Sequence, residues 1–232
     1  MYKLGKYHSN DRMSDLICDN YPILLVLGRF GISLGFGDKT VKEVCEENGV
    51  HTGTFLVIIN LLLTDDDYSL KKDSNISIES LVSYLHNSHS YFLGFRIPAI
   101  RAKLIEAMEG THNDASVAII RYFDAYAAEV KKHMQYEETT VFPYVKNLLE
   151  EKQQSDYNID IFKKQHDQIE ARLKELKYII IKYYPSQSTN ELNSVLFDIF
   201  SCEKDLALHN NIEDNLLIPA IMQFEKRIAG NK

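Results

Sequence analysis

The feature that most restricts the fold is an apolar stripe at helical spacing that contains a histidine and a glutamate. It runs in steps of three and four along the last part of the chain, through Val195, Ile199, Cys202, Leu206, His209, Glu213, Leu216, Ala220 and Phe224. Such a stripe is typical of a helix face directed at a core. A buried carboxylate is costly unless it is paired or binds a metal. The stripe therefore predicts a helix whose buried face carries functional groups.

Three further stretches show the same periodicity, and each has a histidine on its apolar stripe. We expect helices over about Ile78–Glu109, with an interruption at Pro98, and over about Asp114–Glu151, Asp156–Tyr184 and Thr189–Ile228. The connections are short and polar, which favours antiparallel neighbours. No segment of useful length alternates with the period of a strand. The sequence predicts an all-α chain built around an up-and-down four-helix bundle.

A polar run near residues 64–76 separates this region from a smaller one before it. In the smaller region, Thr40-Val-Lys-Glu43 has the pattern of a capping box, and Gly49 is a suitable helix stop. Frequent glycines leave no room for a long helix there. We predict a small helical N-terminal domain at 1–64, a linker at 65–76 and the bundle at 77–232.

Composition narrows the class of protein further. The 232 residues are 45% apolar, which is enough for a sizeable core, and the net charge of −7 argues against a nucleic-acid partner. The apolar runs are too short to span a membrane. Three widely spaced cysteines fit neither a disulfide framework nor a zinc knuckle. We expect a cytoplasmic protein that binds neither nucleic acid nor membrane.

The segment with His and Glu occurs twice. The segments from His133 to Pro143 and from His209 to Pro219 both contain His, Glu four residues later, a second acid, and an apolar residue followed by Pro. The two copies are offset by 76 residues, and His89 and His166 on the other two stripes are offset by 77. The sequence thus repeats one helical hairpin plan.

This repeat predicts a metal centre inside the bundle. Side chains four residues apart share one helix face, so each segment offers both groups to one site. Imidazoles and carboxylates from four helices form a nitrogen and oxygen ligand set that suits iron or manganese, and zinc also accepts it. The predicted ligands are His89, His133, Glu137, His166, His209 and Glu213. The alternative is a structural bundle with satisfied core histidines and no metal.

The roles of three residues beside these ligands stay open. His86 lies one turn before His89 and is able to substitute for it. Glu129 lies one turn before His133, and Asp205 lies one turn before His209. Either acid is a partner of a ligand or a step on a path by which iron leaves, or else it is an ordinary helix-surface charge.

At these residues the chain resembles the hemerythrin-like (HHE) domains, and in particular the repair-of-iron-centres proteins of the ScdA/YtfE type. The segment His133-Met-Gln-Tyr-Glu-Glu-Thr-Thr-Val-Phe-Pro143 is similar to that family's motif, and the segment from His209 to Pro219 to its second copy. The resemblance implies that the six predicted ligands hold two iron ions, with both glutamates bridging them in an oxo- and carboxylate-bridged centre. The His-x-x-x-His pair of the oxygen-carrying hemerythrins is missing, which disfavours oxygen transport.

The resemblance also implies a function. The family is associated with restoring iron–sulfur clusters after nitrosative or oxidative stress, by iron donation or by handling nitric oxide. Iron–sulfur proteins are then the expected clients, and NO and O2 the expected small ligands. The rival functions are a di-iron gas or redox sensor that signals through the N-terminal domain, and an enzyme similar to a nitric oxide reductase or a peroxidase.

The N-terminal region resembles the small domain that precedes the bundle in the same family. The order of Tyr21-Pro-Ile-Leu-Leu-Val-Leu-Gly-Arg-Phe-Gly-Ile32 and Lys39-Thr-Val-Lys-Glu-Val-Cys45 is similar. Where the family usually has adjacent cysteines, this chain has Leu34-Gly35-Phe36-Gly37. Thiol chemistry at that doublet is therefore absent, and we expect a docking or dimerisation module, which is compatible with a homodimer.

Overall fold

The computed structural model describes residues 7–63, 76–108, 114–150, 157–163, 169–184 and 190–230. Regular structure within these ranges is helical, and the only β-type pairing found there is an isolated bridge between Arg12 and Thr40. The predicted all-α class is confirmed. Among the described helices, none combines the length and the hydropathy that crossing a membrane requires.

The helices are numbered in chain order. They are α1 (Met13–Asp19), α2 (Ile23–Arg29), α3 (Val41–Glu47), α4 (Thr52–Leu63), α5 (Ile78–Tyr91), α6 (Ile97–Met108), α7 (Asp114–Tyr136), α8 (Phe142–Leu149), α9 (Ile159–Lys163), α10 (Ile169–Tyr183), α11 (Asn190–Ile212) and α12 (Ile218–Gly230). The four helices before residue 64 are short, as the frequent glycines predict.

Local sequence signals set the ends of α3. The side chain of Thr40 accepts a hydrogen bond from the backbone N–H of Glu43, whose carboxylate accepts one from the backbone N–H of Thr40 at 2.8 Å. Past the other end of the helix, Gly49 has a φ of 65°, a left-handed conformation that glycine adopts without strain. The predicted capping box and the predicted stop are both confirmed.

Three π-helical turns join consecutive α-helices without a break. They cover Phe92–Arg96 between α5 and α6, Glu137–Val141 between α7 and α8, and Glu213–Leu217 between α11 and α12. Each is followed at once by an apolar residue and then by proline. A proline inside an α-helix clashes with the carbonyl four residues earlier, and a wider turn ahead of it relieves that clash. We expected the helix to be interrupted at Pro98, and this expectation is wrong. The helix widens into the π turn at Phe92–Arg96 and continues through Pro98 as α6.

Contacts between Cα atoms group the chain into two compact units. The first holds the described residues up to Ser88 together with those from Asn211 onward, and the second holds those from His89 to Asn210.

In the first unit, α5 is tied to the N-terminal helices through one buried corner. The guanidinium of Arg29 donates a hydrogen bond to the hydroxyl of Tyr84 at 3.3 Å, and the amide of Asn87 donates to the backbone carbonyl of Arg29 at 2.7 Å. The ring of Phe30 lies between Phe55 and Tyr84, with centroid distances of 5.6 and 5.0 Å.

In the second unit, α6, α7, α10 and α11 share one apolar core. Its buried members include Leu104, Phe123, Tyr126, Leu176 and Ile199, and Ile199 belongs to the apolar stripe predicted for the last part of the chain. Helix α7 packs against both α6 and α10. Beside this core, Asp198 accepts hydrogen bonds from Arg96 at 3.1 Å and from Lys103 at 2.6 Å.

Several predicted features lie on residues outside the described ranges. They include His166, almost all of the linker at 65–76, and the short connections after α6, α8 and α10. The predicted domain boundaries therefore stay predictions.

Candidate metal centre

The His133–Glu137 segment presents both of its groups on one face, as the spacing predicts. Glu137 is the first residue of the π turn that follows α7, and its side chain is fully buried. Its Oε1 atom lies 2.8 Å from Nε2 of His133. Its other oxygen, Oε2, lies 3.1 Å from Nε2 of His89 on α5. The two oxygens of one carboxylate thus face imidazoles from two different helices.

His89 is held on several sides. Its ring is buried, and its Nδ1 atom lies 2.7 Å from Oε1 of Glu138. The ring of Phe142 stacks on it, with centroids 5.4 Å apart and 9° between the planes. The ring of His209 lies beside it at 5.1 Å. The Nε2 edge therefore points toward Glu137, and the Nδ1 edge points toward Glu138.

His209 and Glu213 provide the second copy of the segment. His209 is buried near the end of α11, and Glu213 is the fully buried first residue of the next π turn. One ligand atom from each of His89, Glu137, His209 and Glu213 can be chosen so that all four lie within 4.8 Å of one another. Two imidazoles and two carboxylates therefore meet in one small volume.

The donor set of this cluster fits a divalent metal ion. Two carboxylates bring two negative charges into a buried site, where a charge is costly unless it is compensated. Ligand atoms about 2.1 Å from a common ion and at right angles to each other are about 3 Å apart. The distances of 2.8 and 3.1 Å at Glu137 match that spacing.

Aromatic side chains cover the His133 side of the site. The ring of Phe162 stacks on His133 and on Tyr136, with centroid distances of 6.4 and 6.5 Å. The hydroxyls of Tyr136 and Tyr157 are 3.2 Å apart. Burial raises the pKa of Tyr157 above its usual value, and the hydrogen bond with Tyr136 adds to the rise. Tyr157 therefore stays protonated and adds no charge to this side of the site.

The other predicted residues take different positions. His133 is part-buried and contacts Glu137, while His166 lies outside the described residues. Glu129 pairs with Arg172 at 2.7 Å, and both side chains are more than two-fifths exposed. Asp205 is buried on α11, and His86 is exposed on α5.

Sequence reasoning missed two residues that contact His89, namely Glu138 and Phe142. A signal for both was available, because the second acid and the apolar residue before proline recur in the two copies of the segment. The sequence does not show that both residues contact His89, since His89 lies on another helix.

Comparison with family models places the chain in a known class. The model of the hemerythrin HHE cation-binding domain matches residues 80–221, which is more than half of the chain. The protein therefore belongs to the hemerythrin HHE cation-binding family, and its helical bundle and its buried cluster of histidines and glutamates agree with a metal-binding role. A comparison with curated proteins found no significant match.

Proposed function

We propose that the protein holds a non-haem di-iron centre and acts in the repair of iron–sulfur clusters damaged by nitrosative or oxidative stress. The observation that carries the dinuclear centre is the position of Glu137. It is fully buried, and each of its oxygens faces a different imidazole, on His133 and on His89. A carboxylate in that position is suited to bridge two ions, one on each side.

The residues of the cluster have distinct roles at such a centre. His89, His133, Glu137, His209 and Glu213 would hold the ions, and His166 is proposed as the sixth ligand from the repeat. Manganese or zinc would fit the same donors. When bound, iron supplies redox chemistry and an affinity for small gases such as NO and O2. The aromatic rings of Phe142 and Phe162 pack against His89 and His133, whose side chains are 3% and 15% exposed.

The net charge of the proposed ligand set supports a site that releases iron as well as binding it. Six ligands that include two carboxylates would carry two negative charges, less than the charge of two ferrous ions, so the loaded site is electropositive. Supply of iron to a damaged cluster is the reaction that we propose, with iron–sulfur proteins as clients. A cytoplasmic location and a homodimer joined through the N-terminal region belong to the same proposal.

Metal analysis tests the centre itself. We expect aerobically purified protein to contain iron and to show the absorption bands of a diferric centre. We expect the double variant Glu137→Ala and Glu213→Ala to lose both. Glu106→Ala is a matched control, since Glu106 is an exposed glutamate on α6. Diferric bands that persist in the double variant would overturn the ligand assignment.

A repair assay tests the role. Iron-loaded protein is incubated, with added sulfide and a reductant, with a purified [4Fe–4S] protein that nitric oxide has damaged, and recovery of the cluster is followed by its absorbance. We expect recovery with wild type and none with the double variant. With nitric oxide and an added electron donor, multiple-turnover formation of nitrous oxide would instead favour a nitric oxide reductase.

A di-iron gas or redox sensor is the second candidate, and one observation favours it. Helix α5 contacts the N-terminal helices through Tyr84 and Asn87, and it carries His89 two residues later. A change at His89 would therefore be transmitted along one helix to Arg29. Hydrogen exchange of residues 23–30 with and without bound iron, in both oxidation states, tests this. Identical exchange in all states would exclude signalling by this route.

A further inference from the structure

We propose that Glu138 is a positioning residue for the metal ligand His89, and that it acts by keeping the proton of the imidazole on Nδ1. This inference rests on the proposed metal function. It concerns the second acid of the repeated segment, for which the ligand assignment has no use.

The geometry around His89 gives Glu138 that role. The Nδ1 atom lies 2.7 Å from Oε1 of Glu138. Because a carboxylate oxygen accepts, this contact is a charge-assisted hydrogen bond when the imidazole proton is on Nδ1. The opposite nitrogen, Nε2, faces the ligand carboxylate of Glu137 at 3.1 Å. The two acids are neighbours in sequence, yet they contact opposite edges of one ring.

The chemistry of imidazole explains why this contact matters. A neutral imidazole carries one proton, and a nitrogen binds a metal only when it is free of that proton. An acceptor at Nδ1 therefore leaves Nε2 available on the side of the metal cluster. The negative charge of the acceptor also makes the ligand nitrogen more basic, as in other sites where a carboxylate supports a metal-bound histidine.

The position of Glu138 in the fold separates this role from that of an ordinary surface acid. About a third of its side chain is exposed, while the His89 ring that it contacts is 3% exposed. On the face of that ring, Phe142 packs parallel to it. The hydrogen bond sets the rotation of the ring in its plane, and the stacking sets the tilt of the plane.

The first experiment locates the proton without any metal. Protein with 15N-labelled histidine is freed of metal, and the ring nitrogens of His89 are identified by comparison with His89→Gln. We expect a proton on Nδ1 in wild type and in Glu138→Gln, whose amide oxygen still accepts the bond. We expect Glu138→Ala to lose this proton or to exchange it rapidly with water. An unprotonated Nδ1 in wild type would overturn the proposal.

The second experiment measures binding of ferrous iron without oxygen, in competition with a chromogenic chelator. We expect Glu138→Ala to weaken binding about 10- to 100-fold, Glu138→Gln to weaken it less, and Glu106→Ala to leave it unchanged. If wild type takes up no iron, the proposed metal function fails. If wild type binds iron and Glu138→Ala binds it equally tightly, the role of Glu138 alone is overturned.

Discussion

The Oε1 atom of Glu137 lies 2.8 Å from Nε2 of His133, four residues earlier on the same helical run, and the glutamate side chain has no solvent exposure. A charged group in that position lowers the stability of the metal-free protein, because burial removes its hydration. A bound cation compensates for that cost. The same residue should therefore affect stability in opposite directions in the two states.

Glu137→Gln tests this reversal of sign. In metal-free protein we expect the neutral amide to raise the free energy of unfolding by about 1–2 kcal/mol, since it is less costly to bury. With ferrous iron at 100 times its Kd, wild type should gain about 2.7 kcal/mol of stability that the variant lacks. Thermal unfolding with a chelator and with iron measures both effects. A variant that is less stable in both states would contradict this account.

The three cysteines should react very differently with a thiol reagent. Cys18 is exposed, whereas Cys45 and Cys202 are buried. Burial raises the pKa of the Cys45 thiol to about 11, so only about one molecule in a hundred carries the thiolate at pH 9. We expect one labelled thiol in the native protein at pH 7 and still no label on Cys45 at pH 9. Labelling in denaturant, where all three should react, is the control.

Stability should fall at alkaline pH for the same reason. The folded state holds the Cys45 proton up to a pKa of about 11, while in the unfolded state the thiol has its ordinary pKa of 9.0. The unfolded state thus binds fewer protons between these values, and folding loses free energy as pH rises through them. Denaturant unfolding of wild type and Cys45→Ala from pH 8 to 11 should show a shallower decline in the variant. Parallel pH dependences of wild type and Cys45→Ala would contradict the assignment of this decline to Cys45.

Asp198 should matter more for stability than the exposed acid Asp124. It accepts hydrogen bonds from both Arg96 and Lys103, and it is one-fifth exposed. We expect Asp198→Ala to cost about 1–3 kcal/mol, because the largely buried guanidinium of Arg96 loses an acceptor. Asp124→Ala, which removes an exposed pair with Arg101, should lower Tm less. Equal shifts in Tm would show that burial does not decide the effect.

The corner between α5 and the N-terminal helices should depend on one hydroxyl. Tyr84 is fully buried and accepts a hydrogen bond from Arg29 at 3.3 Å. Tyr84→Phe keeps the ring against Phe30 and removes the acceptor, so we expect a loss of about 1–2 kcal/mol in the free energy of unfolding. Tyr21→Phe is the control, since Tyr21 is 70% exposed. No loss in Tyr84→Phe would mean that the rings alone hold this corner.

Much of the bundle was predictable because helical periodicity is a local property. The stripe through Val195, Ile199, Cys202 and His209 needs no knowledge of the other helices, and all four residues are buried. The capping box at Thr40 was predictable for the same reason. Glu213 could be selected as a core carboxylate because its neighbours on the stripe are apolar.

The π turns were harder to predict, although their cause is in the sequence. The proline that follows each turn is visible, and a simple reading of Pro98 gives a break in the helix. Whether a helix breaks or widens depends on what holds the residues after the proline in place. Here the buried side chains of Ile97 and Ile100 hold the continuation of the helix against the core.

The sequence by itself determined the helical class, the inward stripes and the repeated pairing of histidine with glutamate, because these follow from spacing along one chain. The tertiary structure alone decided which edge of His89 faces Glu137 and which faces Glu138. That choice depends on the rotation of one helix relative to another, which many weak contacts set together. The second acid was visible in both copies of the segment, and its contact with His89 became visible when the helices were packed.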